Sequence, residues 1–137
     1  MKKLELWHNP RCSKSRLTLA LLEENGAEVE AFRYLDTPPD AERLTQVLSW
    51  LGMEPRELMR KTEKEYKELG LSNESLSREV LIQSMVKNPR LIERPIAILG
   101  EQAVIGRPPE NVLVLIDKRL RATLVVTHHT TTSKIAR

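Results

Sequence analysis

The order of apolar segments in the first 35 residues most limits the folds that this chain can adopt. Residues 3–7 alternate in polarity, which predicts a short β-strand, and residues 8–10 (His-Asn-Pro) end it. Residues 13–25 show the apolar spacing of a helix, and Gly26 follows as a typical helix stop. Residues 29–35 predict a second strand. A strand, a helix and a strand in this short span form a βαβ unit, so we expect an α/β fold.

The first helix is predicted to begin at a serine and to bury its leucines. Ser13 or Ser15 would be the N-cap, since a hydroxyl oxygen accepts a hydrogen bond from a free N–H group of the first turn. Residues 17–21 follow helical spacing and would supply one buried stripe.

A helical segment, a hairpin and a final helix are predicted after the second strand. The predicted elements are helices over residues 41–51, over residues 54–60 and from Ser75 or Ser77 to Lys87, strands over residues 95–99 and 103–106, and a helix that begins at Pro108 and Pro109. Residues 62–71 are highly charged, which indicates a solvated face. We therefore expect one domain over residues 1–117, with a mixed sheet (β-α-β … β-β-α) and a helical insertion at about residues 40–90.

The excess of positive charge lies at the end of the chain. The sequence has 22 Lys and Arg against 19 Asp and Glu, but residues 118–137 hold five basic residues and no acidic one. We predict that this basic tail is disordered, since it has no packing pattern. The rest is mildly acidic, so nucleic-acid binding is not expected. The apolar runs are too short for a membrane span and no signal peptide is evident, which favours a cytoplasmic protein without membrane contact.

Cys12 is the only cysteine in the sequence and the strongest candidate for chemistry. A single cysteine excludes an internal disulfide and a CxxC metal or dithiol site, so thiol chemistry would need a second thiol from another molecule. Cys12 comes just before the first predicted helix, where free N–H groups and the helix dipole stabilise an anion. His8, Arg11, Lys14 and Arg16 add positive or hydrogen-bonding groups. We therefore predict a reactive thiolate rather than a buried structural thiol.

Three arginines are candidates for binding an oxyanion. Arg60 ends a short predicted helical turn. Arg94 and Arg107 flank the predicted hairpin, so they can lie at the same edge of the sheet. An oxyanion is bound best by several fixed donors, which guanidinium groups supply better than ammonium groups. For each arginine, a solvated or Glu-paired surface position remains the alternative.

Three motifs in combination resemble the glutaredoxin-coupled arsenate reductase family. They are His8-Asn9-Pro10-Arg11-Cys12-Ser13-Lys14-Ser15-Arg16, Glu93-Arg94-Pro95-Ile96 and Gly106-Arg107-Pro108-Pro109-Glu110. The resemblance covers about residues 3–117 and implies a thioredoxin-like fold with an inserted helical subdomain. Cys12 is followed by Ser-Lys-Ser where established reductases usually have Gly-Thr-Ser, so the chain resembles a reductase-like sister subgroup with a Cys-Ser-Lys-Ser loop.

The resemblance also implies which residues form the site. The implied set is Cys12 and His8 as catalytic residues, Arg60, Arg94 and Arg107 as substrate-binding residues, and Ser15, Arg16 and Pro95 as supporting residues. Cys12 would be the nucleophile, and His8 would help to lower its pKa. The peptide bond before Pro95 would be cis and would face Cys12.

The activity implied by the resemblance is the reduction of arsenate to arsenite. Arsenate or a related oxyanion would be the substrate, glutathione a co-substrate and glutaredoxin the protein partner, with no bound cofactor and no metal. Two alternatives stay open. The Cys12-x-x-Ser15 pattern and Lys14 also suit a thiol-redox enzyme that acts on another oxyanion or on a glutathione mixed disulfide. A thioredoxin-fold transcription regulator that binds RNA polymerase would normally carry a second cysteine where Ser15 stands.

Overall fold

The computed structural model describes residues 3–116, and their strands form a mixed four-stranded sheet. The strands are β1 (Leu4–Trp7), β2 (Val29–Phe32), β3 (Ile96–Leu99) and β4 (Gln102–Ile105), in the spatial order β2-β1-β3-β4. β1 pairs with β2 in parallel, whereas β3 runs antiparallel to β1 and β4. At the centre, Leu6 lies opposite Ala31 on one side and Ala97 on the other. The predicted α/β class and mixed sheet are confirmed.

Most of the helices lie between β2 and β3, where the helical insertion was predicted. Within residues 3–116 the helices are α1 (Ser13–Glu24), α2 (Ala41–Leu51), α3 (Pro55–Leu58), α4 (Lys64–Glu68) and α5 (Arg78–Lys87), with 3₁₀ helices at Pro89–Leu91 and Pro109–Leu115. The carboxylate of Asp40 accepts the backbone N–H of Arg43 (2.8 Å) and starts α2. Gly52 ends α2 in the left-handed conformation (φ 69°), which costs a glycine little.

The sheet separates two apolar cores, because the side chains of a strand alternate between its faces. Leu4 and Leu6 of β1 pack in a core with Leu22 of α1 and Val112 of the last 3₁₀ helix. Trp7 packs in the other core, which is filled mainly by α2 and α5. The loop that leaves β1 therefore begins at a fully buried residue, and this anchors the segment that carries the cysteine.

Some predicted boundaries are wrong. The second strand ends at Phe32 rather than at residue 35, because the chain turns there and the N–H of Asp36 bonds the carbonyl of Arg33 (3.0 Å). The last helix is of the 3₁₀ type and ends at Leu115.

The predicted tail, residues 118–137, lies outside the described residues. Within residues 3–116, none of the helices has the length and apolar character needed to cross a membrane.

The buried side of α1 also differs from its prediction. Leu17 is 57% exposed, whereas Ser15, Thr18 and Leu22 are buried. The helical period was correct but the leucine stripe was wrong. The first turns of α1 face polar groups of the preceding loop, and Ser15 bonds His8 there, so hydroxyl side chains occupy the inner side and Leu17 lies outside.

Candidate active site

Cys12 ends the loop between β1 and α1. Its N–H donates to the carbonyl of Asn9 (2.9 Å), and its own carbonyl accepts the N–H of Arg16 (3.0 Å). Cys12 is itself the N-cap residue of α1. The prediction that Ser13 or Ser15 is the N-cap is wrong, because both residues lie inside the helix. The thiol is free and partly exposed. It lies at the N-terminus of α1, as the sequence predicts.

Several groups compete to set the pKa of the Cys12 thiol. Burial is the largest single effect and would raise this pKa. The backbone N–H of Ser15, the guanidinium group of Arg94 and the backbone N–H of Lys14 act in the opposite direction and together outweigh burial, so the pKa of Cys12 is lowered. Because the thiolate is the nucleophilic form, this environment favours nucleophilic chemistry.

The hydroxyl group of Ser15 connects the first turn of α1 to the loop. Oγ of Ser15 lies 2.6 Å from Nδ1 of His8 and accepts the backbone N–H of Asn9 at 3.0 Å. Ser15 and His8 are both buried. A buried hydroxyl with two partners fixes its surroundings, so this pair holds the loop against the helix that presents the thiol.

The surroundings of His8 disfavour its charged form. Burial is the main cause that lowers the pKa of His8, and the charges of Arg33 and Arg16 lower it further. Nδ1 of His8 and Oγ of Ser15 share a hydrogen bond, in which the tautomer of the ring decides which atom donates. The role implied for His8, to help lower the pKa of Cys12, stays a prediction: the ring contacts Ser15, whose backbone N–H lowers that pKa.

Arg94 and Arg107 meet at one edge of the sheet, as their positions around the hairpin predict. Nε of Arg107 donates to the carbonyl oxygen of Arg94 at 2.8 Å. The Arg94–Pro95 peptide bond is cis, as the resemblance implied, and the Arg107–Pro108 bond is also cis, which was not expected. Within residues 3–116 the buried Nε of Arg94 has no hydrogen-bond partner, while the guanidinium group as a whole lowers the pKa of the Cys12 thiol.

Arg60 lies near Arg94 and Arg107 but comes from the helical segment between β2 and β3. Residues 58–60 pair with residues 91–93: the N–H of Arg60 donates to the carbonyl of Leu91 (2.6 Å), and the N–H of Glu93 donates to the carbonyl of Leu58 (2.9 Å). Met59 and Ile92 form an isolated antiparallel bridge between these hydrogen bonds. The pairing places the side chains of Arg60 and Glu93 next to each other, with Nη1 and Oε1 2.9 Å apart.

Arg60, Arg94 and Arg107 form the arginine cluster, and the sequence analysis missed two carboxylates that contact it. Glu93 contacts both Arg60 and Arg107, and Glu63 accepts from Nε of Arg60 (3.2 Å) and from Arg90 (3.2 Å). Glu93 stands inside a motif, directly before Arg94, and this was a usable signal. Glu63 lies in a charged run that predicts only a solvated face, so no local pattern indicated its role.

Arg16 and Tyr34 lie next to these residues and complete the description of the site. Arg16 donates from Nη1 to the carbonyl of Pro10 at 2.9 Å, so it braces the loop, which fits the supporting role implied for it. Tyr34 is buried and stacks against Trp7 with ring centroids 6.4 Å apart. Burial raises the pKa of Tyr34 to about 12, against the opposing charge of Arg94. The phenol therefore stays protonated at neutral pH.

The arrangement combines a nucleophile with guanidinium donors. A thiolate at a helix N-terminus and three arginines from separate segments suit a tetrahedral oxyanion, whose oxygens accept several hydrogen bonds at once. Among residues 3–116, no three His, Cys, Asp or Glu side chains come together as a metal site. Fold and site together define a class: an α/β protein with a free cysteine at a helix N-terminus and a neighbouring cluster of arginines.

Comparison with known proteins identifies the family within this class. A solved structure, an arsenate reductase from Vibrio cholerae, superposes with a TM-score of 0.80 at 47% identity and covers 82% of this chain and 96% of that chain. The predicted thioredoxin-like fold is confirmed. The ArsC family matches residues 7–115.

Sequence relatives agree with this assignment. A protein of Escherichia coli K12 named "Uncharacterized protein YfgD" is 57% identical over 116 residues, or 84% of this chain and 98% of that protein. An arsenate reductase from Neisseria meningitidis serogroup B is 45% identical over 113 residues, or 82% of this chain and 97% of that protein. The chain belongs to the ArsC family, so the family prediction from the motifs is confirmed.

Proposed function

We propose that this protein reduces arsenate to arsenite, with Cys12 as the nucleophile. The observation that carries the proposal is the position of the Cys12 thiol at the N-terminus of α1, where the charge of Arg94 lowers its pKa, because this arrangement joins a nucleophile to an anion-binding group. Relatives with 34–45% identity are named arsenate reductases, which supports the same reaction here.

Binding of arsenate is proposed to use the arginine cluster. Arg60, Arg94 and Arg107 offer their N–H groups to the arsenate oxygens, and Nε of Arg94 is a donor that has no partner in the described part of the chain. The Cys12 thiolate then attacks arsenic. A bond forms between Sγ and arsenic, and one protonated oxygen leaves as water or hydroxide while arsenic stays As(V). Charge that develops on the remaining oxygens is stabilised by the guanidinium groups.

A second thiol completes the reduction. Since Cys12 is the only cysteine in the sequence, we propose that glutathione attacks Sγ of the arsenylated Cys12. An S–S bond forms, the S–As bond breaks, and its electron pair stays on arsenic, which leaves as arsenite, As(III). Glutaredoxin then takes the glutathione from the mixed disulfide and restores the Cys12 thiol. Two thiols are oxidised to one disulfide for each arsenate reduced.

Ser15, His8 and Arg16 are proposed to act on the thiolate and its loop rather than on arsenate. Ser15 supplies the backbone N–H that stabilises the thiolate, and His8 holds the Ser15 side chain. Arg16 fixes the loop through Pro10. We also propose a cytoplasmic location, because a catalytic free thiol and a glutathione-dependent route both need a reducing compartment.

A coupled assay with arsenate, glutathione, glutaredoxin, glutathione reductase and NADPH tests the proposal. We expect arsenate-dependent NADPH oxidation by the wild type and none by Cys12→Ser. Arg107→Ala should lower kcat/KM for arsenate by about 10²-fold, the usual effect of removing one donor from a site that stabilises an oxyanion. Arg78→Ala is the matched control, since Arg78 pairs with the exposed Glu54 in the helical segment. Arsenate-independent turnover, or equal losses in both arginine variants, contradicts the proposal.

A further inference from the structure

The carboxylate of Glu93 lies inside the arginine cluster. Oε1 of Glu93 accepts a hydrogen bond from Nη1 of Arg60 (2.9 Å) and one from the backbone N–H of Arg94 (3.1 Å). Nε of Arg107 lies 3.2 Å from the same oxygen. One carboxylate oxygen therefore has contacts with all three arginines that are expected to hold an oxyanion.

These contacts are the kind that an oxyanion would make. A carboxylate oxygen and an arsenate or sulfate oxygen are both anionic acceptors for guanidinium N–H groups. The side chains of Arg60, Glu93 and Arg107 are 19%, 28% and 33% exposed, so water screens their interactions only in part. An oxyanion that approaches Arg60 and Arg107 thus meets a negative charge already held there.

Arg60 and Arg107 each have contacts besides Glu93. Arg60 is fixed by its backbone bond to Leu91 (2.6 Å) and by the contact of its Nε with Glu63 (3.2 Å). Arg107 is fixed by the bond from its Nε to the carbonyl of Arg94 (2.8 Å). Each of these two guanidinium groups thus has one positioning contact that does not involve Glu93, which leaves room for its carboxylate to act on the bound anion.

We propose that Glu93 is a specificity-determining residue, the resident counter-anion of the arginine cluster, whose negative charge weakens the binding of dianionic oxyanions such as sulfate. A bound oxyanion takes over the contacts of Glu93 with Arg60 and Arg107, and a second negative charge on the ligand is repelled by the carboxylate. This inference rests on the proposed function, since it assigns the arginines to the same anion site.

The test separates the charge of Glu93 from its hydrogen bonds. Glu93→Gln keeps an acceptor oxygen for Arg60 and Arg94 but removes the charge, whereas Glu93→Asp keeps the charge on a shorter side chain. Glu54→Gln is the matched control, because it removes one negative charge from an exposed pair with Arg78. Circular dichroism and the thermal midpoint show that each variant is folded.

Sulfate serves as the probe, because it binds without being reduced. The readout is the concentration of sulfate that protects Cys12 from alkylation by iodoacetamide at constant ionic strength. We expect Glu93→Gln to be protected at about tenfold lower sulfate than the wild type, as expected for loss of one nearby like charge. Glu93→Asp and Glu54→Gln should behave like the wild type.

Opposite results overturn the inference in distinct ways. Unchanged or weaker protection in Glu93→Gln shows that the carboxylate only supports the arginines. An equal gain in Glu54→Gln shows a general effect of net charge. Protection by sulfate in neither the wild type nor Glu93→Gln shows that the cluster binds no anion beside Cys12. The sulfate experiment does not require turnover. If sulfate still protects Cys12 but the coupled assay shows no arsenate reduction, only the proposed function fails and the inference about Glu93 stands.

Discussion

Gly106 is the position where a single methyl group should disturb the site most specifically. A Cβ atom added there would lie 2.9 Å from Cγ of Pro95 and 2.9 Å from Oγ1 of Thr18. Gly106 also donates its N–H to the carbonyl of Pro95 at 2.9 Å. Contacts this short force Pro95 or Thr18 to move. Pro95 follows Arg94, so the movement reaches the group that stabilises the Cys12 thiolate.

The size of the effect follows from the packing. Adding a methyl group where no space exists typically costs about 1–3 kcal/mol, which is a sizeable part of a total stability of about 5–15 kcal/mol. Gly106→Ala should therefore lower the urea midpoint of unfolding. It should also raise the pKa of Cys12, because a displaced Arg94 no longer stabilises the thiolate. The rate of alkylation of Cys12 should then rise at higher pH than in the wild type.

Gly70→Ala separates the loss of stability from the change at Cys12. Among residues 3–116 no atom lies within 4 Å of a Cβ added at Gly70, but its φ is 64°, so alanine should cost roughly 1–2 kcal/mol through backbone strain alone. It lies in the helical segment, so the pH profile of Cys12 alkylation should not change. The reasoning is refuted if Gly106→Ala keeps the wild-type midpoint and pH profile, or if Gly70→Ala shifts the profile equally.

Other predictions concern the groups around the thiolate. Arg94→Gln should raise the pKa of Cys12, seen as a shift of the alkylation profile to higher pH that Arg78→Gln does not show. Ser15→Ala should cost roughly 1–3 kcal/mol in urea unfolding, since it leaves the buried His8 ring and the Asn9 N–H without their partner; an unchanged midpoint contradicts this. Folding lowers the pKa of His8, so the stability that its neutral ring contributes is present above pH 6.5 and is lost as the pH falls below that value. The urea midpoint of unfolding should therefore fall on acidification, and it should fall less in His8→Gln.

The sheet and most of the helices could be predicted because their signals are local. Alternation marks β1, and an Asp before the apolar spacing with a Gly after it marks α2. The buried side of α1 could not be predicted from leucine spacing. Which side packs inward depends on the neighbouring loop, and the inner positions near Cys12 hold Ser15 and Thr18.

Part of the site could also be predicted from local sequence signals. Cys12 belongs to a local loop motif, and Arg94 and Arg107 belong to one hairpin, so their meeting follows from short-range structure. The Arg60–Glu93 contact joins residues that are 33 positions apart. It depends on the backbone pairing of residues 58–60 with residues 91–93, and no sequence period records that pairing.

The most direct test of the mechanism is to trap the product of its second step. The protein is incubated with arsenate and glutathione without glutaredoxin, and peptide mapping by mass spectrometry locates any bound glutathione. The mechanism predicts one glutathione on Cys12 that forms only when arsenate is present and disappears when glutaredoxin is added. Absence of this adduct, in a protein whose Cys12 is still alkylated rapidly near neutral pH, would contradict the mechanism.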